Sequence, residues 1–143
     1  MSWAPSLGGY TALGLAGAWA KWKDARVKAV LALSPYCTPF INQHTLSGIT
    51  VPVMYQGGTR DFDITPYVKK LGGAFDQTPA PKFYVELDGA GHFAWTDLRA
   101  AYHATIDAYS VAFFDAYLKG KPFPTAMLEK QKDVSAIRVQ ARP

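Results

Sequence analysis

Ala4-Pro5-Ser6-Leu7-Gly8-Gly9-Tyr10 predicts a sharp turn that runs directly into a helix. Pro5 favours an extended conformation at Ala4, because a proline ring disfavours the helical region in the residue before it. A turn between a strand and a helix can hold a serine hydroxyl in an exposed and strained position, as a nucleophile requires. Ser6 is therefore the first candidate catalytic residue, and the alternative is that it only caps the helix.

The rest of the sequence alternates between short apolar segments and helical segments. We predict strands at 27–33, 51–56 and 82–87, helices at 11–22, 65–71, 96–118 and around 125–131, and a strand-like or frayed tail. The segment 27–33 is short, apolar and partly β-branched, which is typical of a strand buried on both faces. This alternation predicts an α/β fold of three layers, a short and mostly parallel sheet flanked by helices, in a single domain over residues 1–143.

Charge, cysteine content and hydropathy exclude several classes of protein. The net charge is +4, and the lysines and arginines are scattered, so we expect a solvated basic face and no nucleic-acid partner. Cys37 is the single cysteine, which excludes an internal disulfide, and no His/Cys cluster indicates a metal site. There is no signal-peptide pattern, and the apolar run at 10–20 is too short to span a bilayer. We therefore expect a soluble protein without a membrane partner, cytoplasmic as expressed, and leave its native compartment open.

Three residue types needed for acyl transfer follow one another along the chain. Ser6 lies in the opening turn, Asp61 follows the strand 51–56, and His92 follows the strand 82–87. The carboxyl ends of parallel strands lie at one edge of a sheet, so these side chains are expected to meet there. An imidazole can take the proton of a serine hydroxyl near neutral pH, and a buried carboxylate can orient the ring. The order serine, aspartate, histidine is the one found with a nucleophile turn on a parallel sheet.

The motifs that carry these residues also resemble a known family. They are Ala4-Pro5-Ser6-Leu7-Gly8-Gly9, Gly57-Gly58-Thr59-Arg60-Asp61 and Gly89-Ala90-Gly91-His92-Phe93. Together they resemble the C-terminal half of an α/β-hydrolase, in the branch of dienelactone-hydrolase-like and cutinase-like serine esterases. The resemblance extends to about residue 120 and implies a truncated α/β-hydrolase fold that starts at the nucleophile turn.

By this resemblance, Ser6 is the nucleophile, His92 the general base and acid, and Asp61 the orienting carboxylate. The resemblance also implies an oxyanion donor and an aromatic wall for the substrate, formed by the backbone N–H of Leu7 and by the side chains of Tyr36, Phe93 and Trp95. It implies no metal and no cofactor.

The sequence departs from the family pattern at its beginning. Ala4 stands where glycine is usual, and Pro5 fills a position that histidine often holds. The strand before the turn and the loop that brings a second oxyanion donor are missing from the sequence.

A second aspartate offers an alternative for the acid. Asp63 lies two residues after Asp61 and is more simply read as a cap for the helix 65–71. Thr65 and Pro66 are themselves predicted to begin that helix, with the threonine hydroxyl at the N-cap and the proline in the first turn.

We expect a carboxylesterase that cleaves short-chain or small activated esters through an acyl-enzyme intermediate. The alternative is a truncated, catalytically weak or inactive half-domain that serves as an interaction or structural protein. A homo-oligomer is also expected, because the apolar strand 27–33 would form an exposed sheet edge and the helix 11–22 is nearly uncharged. Trp3 is expected in the same interface.

Overall fold

A computed structural model describes residues 6–142 and gives an α/β fold. The predicted turn residues Ala4 and Pro5, and Trp3, lie outside the described residues. The strands are β1 (Val30–Leu33), β2 (Val53–Gly58), β3 (Lys82–Leu87) and β4 (Val134–Gln140). The α-helices are α1 (Leu7–Leu13), α2 (Thr38–Gln43), α3 (Thr65–Lys69), α4 (Ala74–Gln77) and α5 (His103–Lys119).

The four strands form one mixed sheet in the order β1-β2-β3-β4. β1, β2 and β3 are parallel, with Ala32 opposite Tyr55 and Tyr55 opposite Tyr84. The tail forms a regular strand, β4, which pairs antiparallel with β3. The parallel part directs the carboxyl ends of three strands to the same edge, where loops carry the predicted catalytic residues.

Both faces of the sheet are covered, because successive side chains of a strand point to opposite faces. Tyr55 and Val53 of β2 pack into one cluster with Leu13 of α1 and Phe40 of α2. The intervening Met54 packs into a second cluster, which contains residues of α5. All six residues of β2 and of β3 are buried, so these strands lie between two layers of helices.

The predicted continuous helix 11–22 is wrong. α1 ends at Leu13, a π-helical turn covers Gly14–Ala18, and a 3-10 turn covers Ala20–Trp22. The break occurs at Gly17, whose φ of 126° is non-helical. A Cβ on Gly17 would collide with the carbonyl oxygen of Gly48, so this close approach requires glycine.

Several other element boundaries differ from the prediction. β1 begins at Val30 rather than at residue 27, whereas β3 has the predicted bounds. α5 begins at His103 because 3-10 turns at His92–Trp95 and Ala100–Tyr102 occupy the preceding segment. The helix around 125–131 is a 3-10 turn, Thr125–Leu128. No helix within residues 6–142 has the length and apolar character needed to cross a membrane.

The start of α3 also differs. Ile64 occupies the N-cap position, so neither Thr65 nor Asp63 caps the helix. The Thr65 hydroxyl instead accepts the N–H of Gly58 at 2.9 Å and donates to the Asp61 carboxylate at 3.3 Å. Thr65 therefore connects α3 to the end of β2 and does not cap its own helix.

Candidate functional site

The candidate site lies at the carboxyl ends of the three parallel strands. Ser34 follows β1 directly, Asp61 lies in the loop after β2, and His92 lies in the loop after β3. His92 Nδ1 is 3.3 Å from Asp61 Oδ1 and 2.9 Å from Ser34 Oγ. The Ser34 hydroxyl donates a hydrogen bond to Asp61 Oδ2. A serine, a carboxylate and an imidazole are thus in mutual contact, and the serine is Ser34.

Contacts between two loops bring Asp61 close to His92. The N–H of Arg60 donates to the carbonyl of Ala90 at 3.0 Å, and the N–H of Thr59 donates to the carbonyl of Leu87 at 3.1 Å. A Cβ on Gly58 would collide with the Ala90 carbonyl oxygen, so this approach requires glycine at the end of β2. Gly58, the last residue of β2, therefore permits the close packing of the loops after β2 and β3.

Asp61 is buried and its carboxylate is well supplied with partners. It accepts hydrogen bonds from Ser34 and Thr65 and contacts His92. A buried carboxylate is tolerated only when such partners replace water. Asp63, the alternative acid, is exposed. The aspartate that contacts His92 is therefore Asp61.

Ser6 directly precedes helix α1 and pairs with Pro35, in the segment that follows β1, through an isolated parallel bridge. Its φ of 69° and ψ of −86° are unusual for a residue with a side chain, and such values cost energy that the surroundings must supply. Two backbone hydrogen bonds, both of 2.9 Å, hold Ser6 in this conformation. The Ser6 N–H donates to the Ser34 carbonyl, and the Ser6 carbonyl accepts the N–H of Tyr36. Gly9 lets α1 approach closely, because a Cβ there would lie 2.5 Å from Pro35 Cβ.

Ser6 and His92 are not hydrogen-bonded to each other. Within residues 6–142, the side-chain partners of the His92 ring are Ser34 and Asp61. Ser6 is half-buried and is linked to this pair through the backbone of Ser34. The structure thus brings Asp61 and His92 into contact, and it ties the backbone of Ser6 to that of Ser34, whose side chain contacts both.

The other predicted site residues have different exposures. Leu7 is the first residue of α1, so its N–H lacks an acceptor within the helix, and its side chain is exposed. Tyr36 and Phe93 are exposed, and the Phe93 ring centroid is 5.8 Å from that of His92. Trp95 is only 2% exposed, and its Nε1 donates to Gln56 Oε1 at 3.2 Å. Of the three aromatic residues predicted to form the wall, Trp95 therefore packs in the core, whereas Tyr36 and Phe93 are exposed.

Sequence reasoning missed Ser34. The sequence shows only a serine before a proline at the end of an apolar run, which is an ordinary way for a strand to end. Its position between the loops of Asp61 and His92 depends on a φ of 44°, which no local sequence pattern predicts.

The arrangement places a buried carboxylate behind a partly exposed imidazole that can exchange a proton. The Asp61 side chain is almost fully buried, whereas 31% of the His92 side chain is accessible. An imidazole held at Nδ1 by such a carboxylate can take a proton at its other nitrogen and give it back. Among residues 6–142, no group of three or more His, Cys, Asp or Glu side chains could hold a metal ion. No protein-family model matches this sequence, and no curated protein matches it significantly.

Proposed function

We propose that this protein is a serine hydrolase of the α/β-hydrolase fold that cleaves carboxylic esters, either short-chain or small activated ones. Ser6 is the nucleophile, His92 the general base and acid, and Asp61 the carboxylate that orients His92. One observation carries the proposal: a serine with a strained backbone is hydrogen-bonded to the backbone of Ser34, whose side chain contacts a histidine–aspartate pair at the carboxyl ends of neighbouring parallel strands. Ser6 directly precedes α1, as a nucleophilic serine does in a strand–turn–helix motif.

In the proposed reaction, His92 Nε2 takes the proton of the Ser6 hydroxyl as Ser6 Oγ attacks the ester carbonyl carbon. The tetrahedral intermediate collapses when the alcohol leaves with that proton, and an acyl group remains on Ser6. Water then attacks the acyl group with His92 as the base, and the carboxylic acid is released. Catalytic hydrogen bonds are often long before a substrate binds, so the missing contact between Ser6 and His92 agrees with a resting state.

Two further groups support this chemistry. The N–H of Leu7, at the start of α1, can donate to the oxyanion of the tetrahedral intermediate, and the positive end of the helix favours negative charge there. The exposed rings of Tyr36 and Phe93 can pack against the acyl or alcohol part of the ester. No metal or cofactor takes part in these steps.

The test is hydrolysis of 4-nitrophenyl acetate by the purified protein and its variants. Ser6→Ala and His92→Ala should lose activity to about the same residual level, because residues that act as one unit are non-additive. The matched control is Ser47→Ala, since Ser47 is exposed and its hydroxyl bonds only the nearby His44 carbonyl. Activity that persists unchanged in Ser6→Ala would contradict the proposal.

Covalent labelling gives an independent test of the nucleophile. A fluorophosphonate should modify Ser6 in the wild-type protein and fail to modify His92→Ala, as peptide mass spectrometry would show. A label on Ser34 or Ser47 would contradict the assignment of Ser6. A protein that neither turns over esters nor takes up the label would favour the alternative of a structural or interaction protein.

A further inference from the structure

We propose that Ser34 is a positioning residue that holds His92 in the tautomer with its proton on Nδ1. This inference rests on the proposed function for its catalytic meaning, but the contacts that carry it are independent of any substrate. Ser34 Oγ donates to Asp61 Oδ2 and lies 2.9 Å from His92 Nδ1, and the whole residue is 0% exposed.

Counting protons assigns the tautomer. The Ser34 hydroxyl has one proton, and the Asp61 carboxylate has none to give, so the hydrogen bond between them uses the serine proton. Ser34 Oγ can then only accept from His92 Nδ1, which must therefore carry a hydrogen. Asp61 Oδ1, at 3.3 Å, is a second acceptor for the same N–H. His92 Nε2 is left with a lone pair, as a base that activates Ser6 requires.

The reverse arrangement is unfavourable. If Ser34 donated its proton to Nδ1, a hydroxyl lone pair would face the Asp61 carboxylate. Two buried acceptors would then lie against each other without a proton between them, which is costly in a low-dielectric site.

The backbone of Ser34 fixes its hydroxyl in this position. Its N–H donates to the Gln56 carbonyl at 2.8 Å, and its carbonyl accepts the Ser6 N–H at 2.9 Å. With its φ of 44°, Ser34 directs its N–H to Gln56 in β2 and its carbonyl to Ser6, just before α1. Ser34 therefore connects the loops of Ser6, Asp61 and His92. Full burial, together with a proton committed to Asp61, rules out Ser34 itself as the nucleophile.

Ser34→Gly is the decisive variant, because it removes the hydroxyl and tolerates the left-handed backbone better than Ser34→Ala. We expect kcat to fall about 10- to 100-fold, the range that follows from losing a hydrogen bond to a charged group, with KM nearly unchanged. We also expect Ser34→Gly to be at least as stable to urea as Ser34→Ala. If the role of Ser34 were purely structural, the more stable of the two variants should instead be the more active one.

The second readout is the tautomer itself, measured by ¹⁵N–¹H correlation of the imidazole rings without any substrate. The sequence has three histidines, so comparison with His92→Gln assigns the His92 signals. The wild-type protein should show the Nδ1–H form, and Ser34→Gly should show a mixture with Nε2–H. The matched control is Thr65→Val, which removes the other hydroxyl on Asp61 Oδ2 without touching His92 and should keep the wild-type tautomer.

The outcomes separate this inference from the proposed function. A Ser34-dependent tautomer in a protein without esterase activity supports the positioning role and contradicts the esterase. Esterase activity through Ser6, with tautomer and kcat unchanged in Ser34→Gly, overturns the positioning role alone. An Nε2–H form in the wild-type protein, or an equal change in Thr65→Val, also overturns it.

Discussion

At the scale of the residue, Asp61 and Asp63 have the same side chain two positions apart but lie in opposite environments. Asp61 is buried against Ser34 and His92, whereas Asp63 is exposed. Asp61→Asn replaces one of the two acceptor oxygens by an NH2 donor, so the side chain can no longer accept from both Ser34 and His92. We therefore expect kcat/KM to fall about 10³- to 10⁴-fold. The loss should be smaller than that of His92→Ala. Steady-state kinetics on the variants would measure this, and a larger loss in Asp63→Asn would show that the acid is misassigned.

Cys37 provides a second prediction at this scale. Burial raises the pKa of its thiol to about 12, and the nearby Lys70 offsets this only in part. The thiolate is the reactive form, so the native protein should react very slowly with Ellman's reagent near pH 8. Reaction should appear together with unfolding in a urea series. Rapid reaction of the fully folded protein would contradict the buried placement of Cys37.

At the scale of the element, Glu86 joins α3, β3 and β4. Its carboxylate accepts hydrogen bonds from Lys69 at 2.6 Å, Tyr84 at 2.7 Å and Ser135 at 3.0 Å. Burial by itself would raise the pKa of Glu86, but these hydrogen bonds outweigh it and lower the pKa below its ordinary value. The stabilisation is therefore complete above the unfolded-state pKa of about 4.3 and is lost as the pH falls through the folded-state pKa.

Glu86→Gln should lower the free energy of unfolding at neutral pH and weaken its fall in acid. Urea unfolding at a series of pH values between about 3 and 7 would measure both effects. The matched control is Glu129→Gln, since Glu129 is exposed and should leave the profile unchanged. If the free energy of unfolding of Glu86→Gln fell in acid by as much as that of the wild type, the predicted direction of the Glu86 pKa would be contradicted.

The two glycines of the loops after β2 and β3 allow a matched comparison. Gly58→Ala places a methyl group against the Ala90 carbonyl, so we expect a loss of about 1–3 kcal/mol and lower esterase activity. Gly91 has a φ of −98°, and its Cβ would lie 3.8 Å from the nearest atom, the Arg60 carbonyl oxygen. Gly91→Ala should change stability by less than about 0.5 kcal/mol. Equal unfolding midpoints for the two variants would contradict this account of the close approach.

At the scale of the whole molecule, the β1 edge of the sheet has no neighbouring strand among the residues that the structure describes. β1 is an edge strand. Within residues 6–142, the pairing beyond β1 consists of the isolated bridge between Ser6 and Pro35. Beside this edge lies a largely apolar groove of about 430 Å³, whose lining includes Leu31, Val111 and Phe114. Of the segment 11–22, also expected in an interface, Leu13, Ala16 and Ala18 are already buried within the chain, whereas Trp22 is exposed.

We expect a second copy of the chain to cover the β1 edge and this groove, because an unpaired apolar edge favours strand pairing between copies. Light scattering behind a sizing column at about 10 μM should therefore give a mass above the 15.6 kDa of one chain. Val111→Glu, at a position 58% exposed on the groove wall, should shift the protein towards the monomer. Leu118→Glu, 54% exposed on the same helix, is the control that should associate normally. A wild-type monomer would contradict this expectation.

Several features are encoded locally and could be predicted from the sequence by itself. The bounds of β3, the end of α5 at Gly120 and the α/β alternation follow from apolar runs and helix stop signals. The position of Asp61 and His92 in loops at one sheet edge follows from the same alternation, because parallel strands direct their carboxyl ends together.

Only the tertiary structure decided the features that depend on distant segments. Gly17 breaks the predicted helix because the backbone at Gly48 lies against it. The tail becomes a regular strand because the edge of β3 is available for antiparallel pairing. Ser34 meets Asp61 and His92, which lie 27 and 58 residues further along the chain, because two loops and a left-handed turn converge on one point. Periodicity and turn chemistry act over a few residues, so they carry no information about which hydroxyl reaches a carboxylate and an imidazole across the sheet.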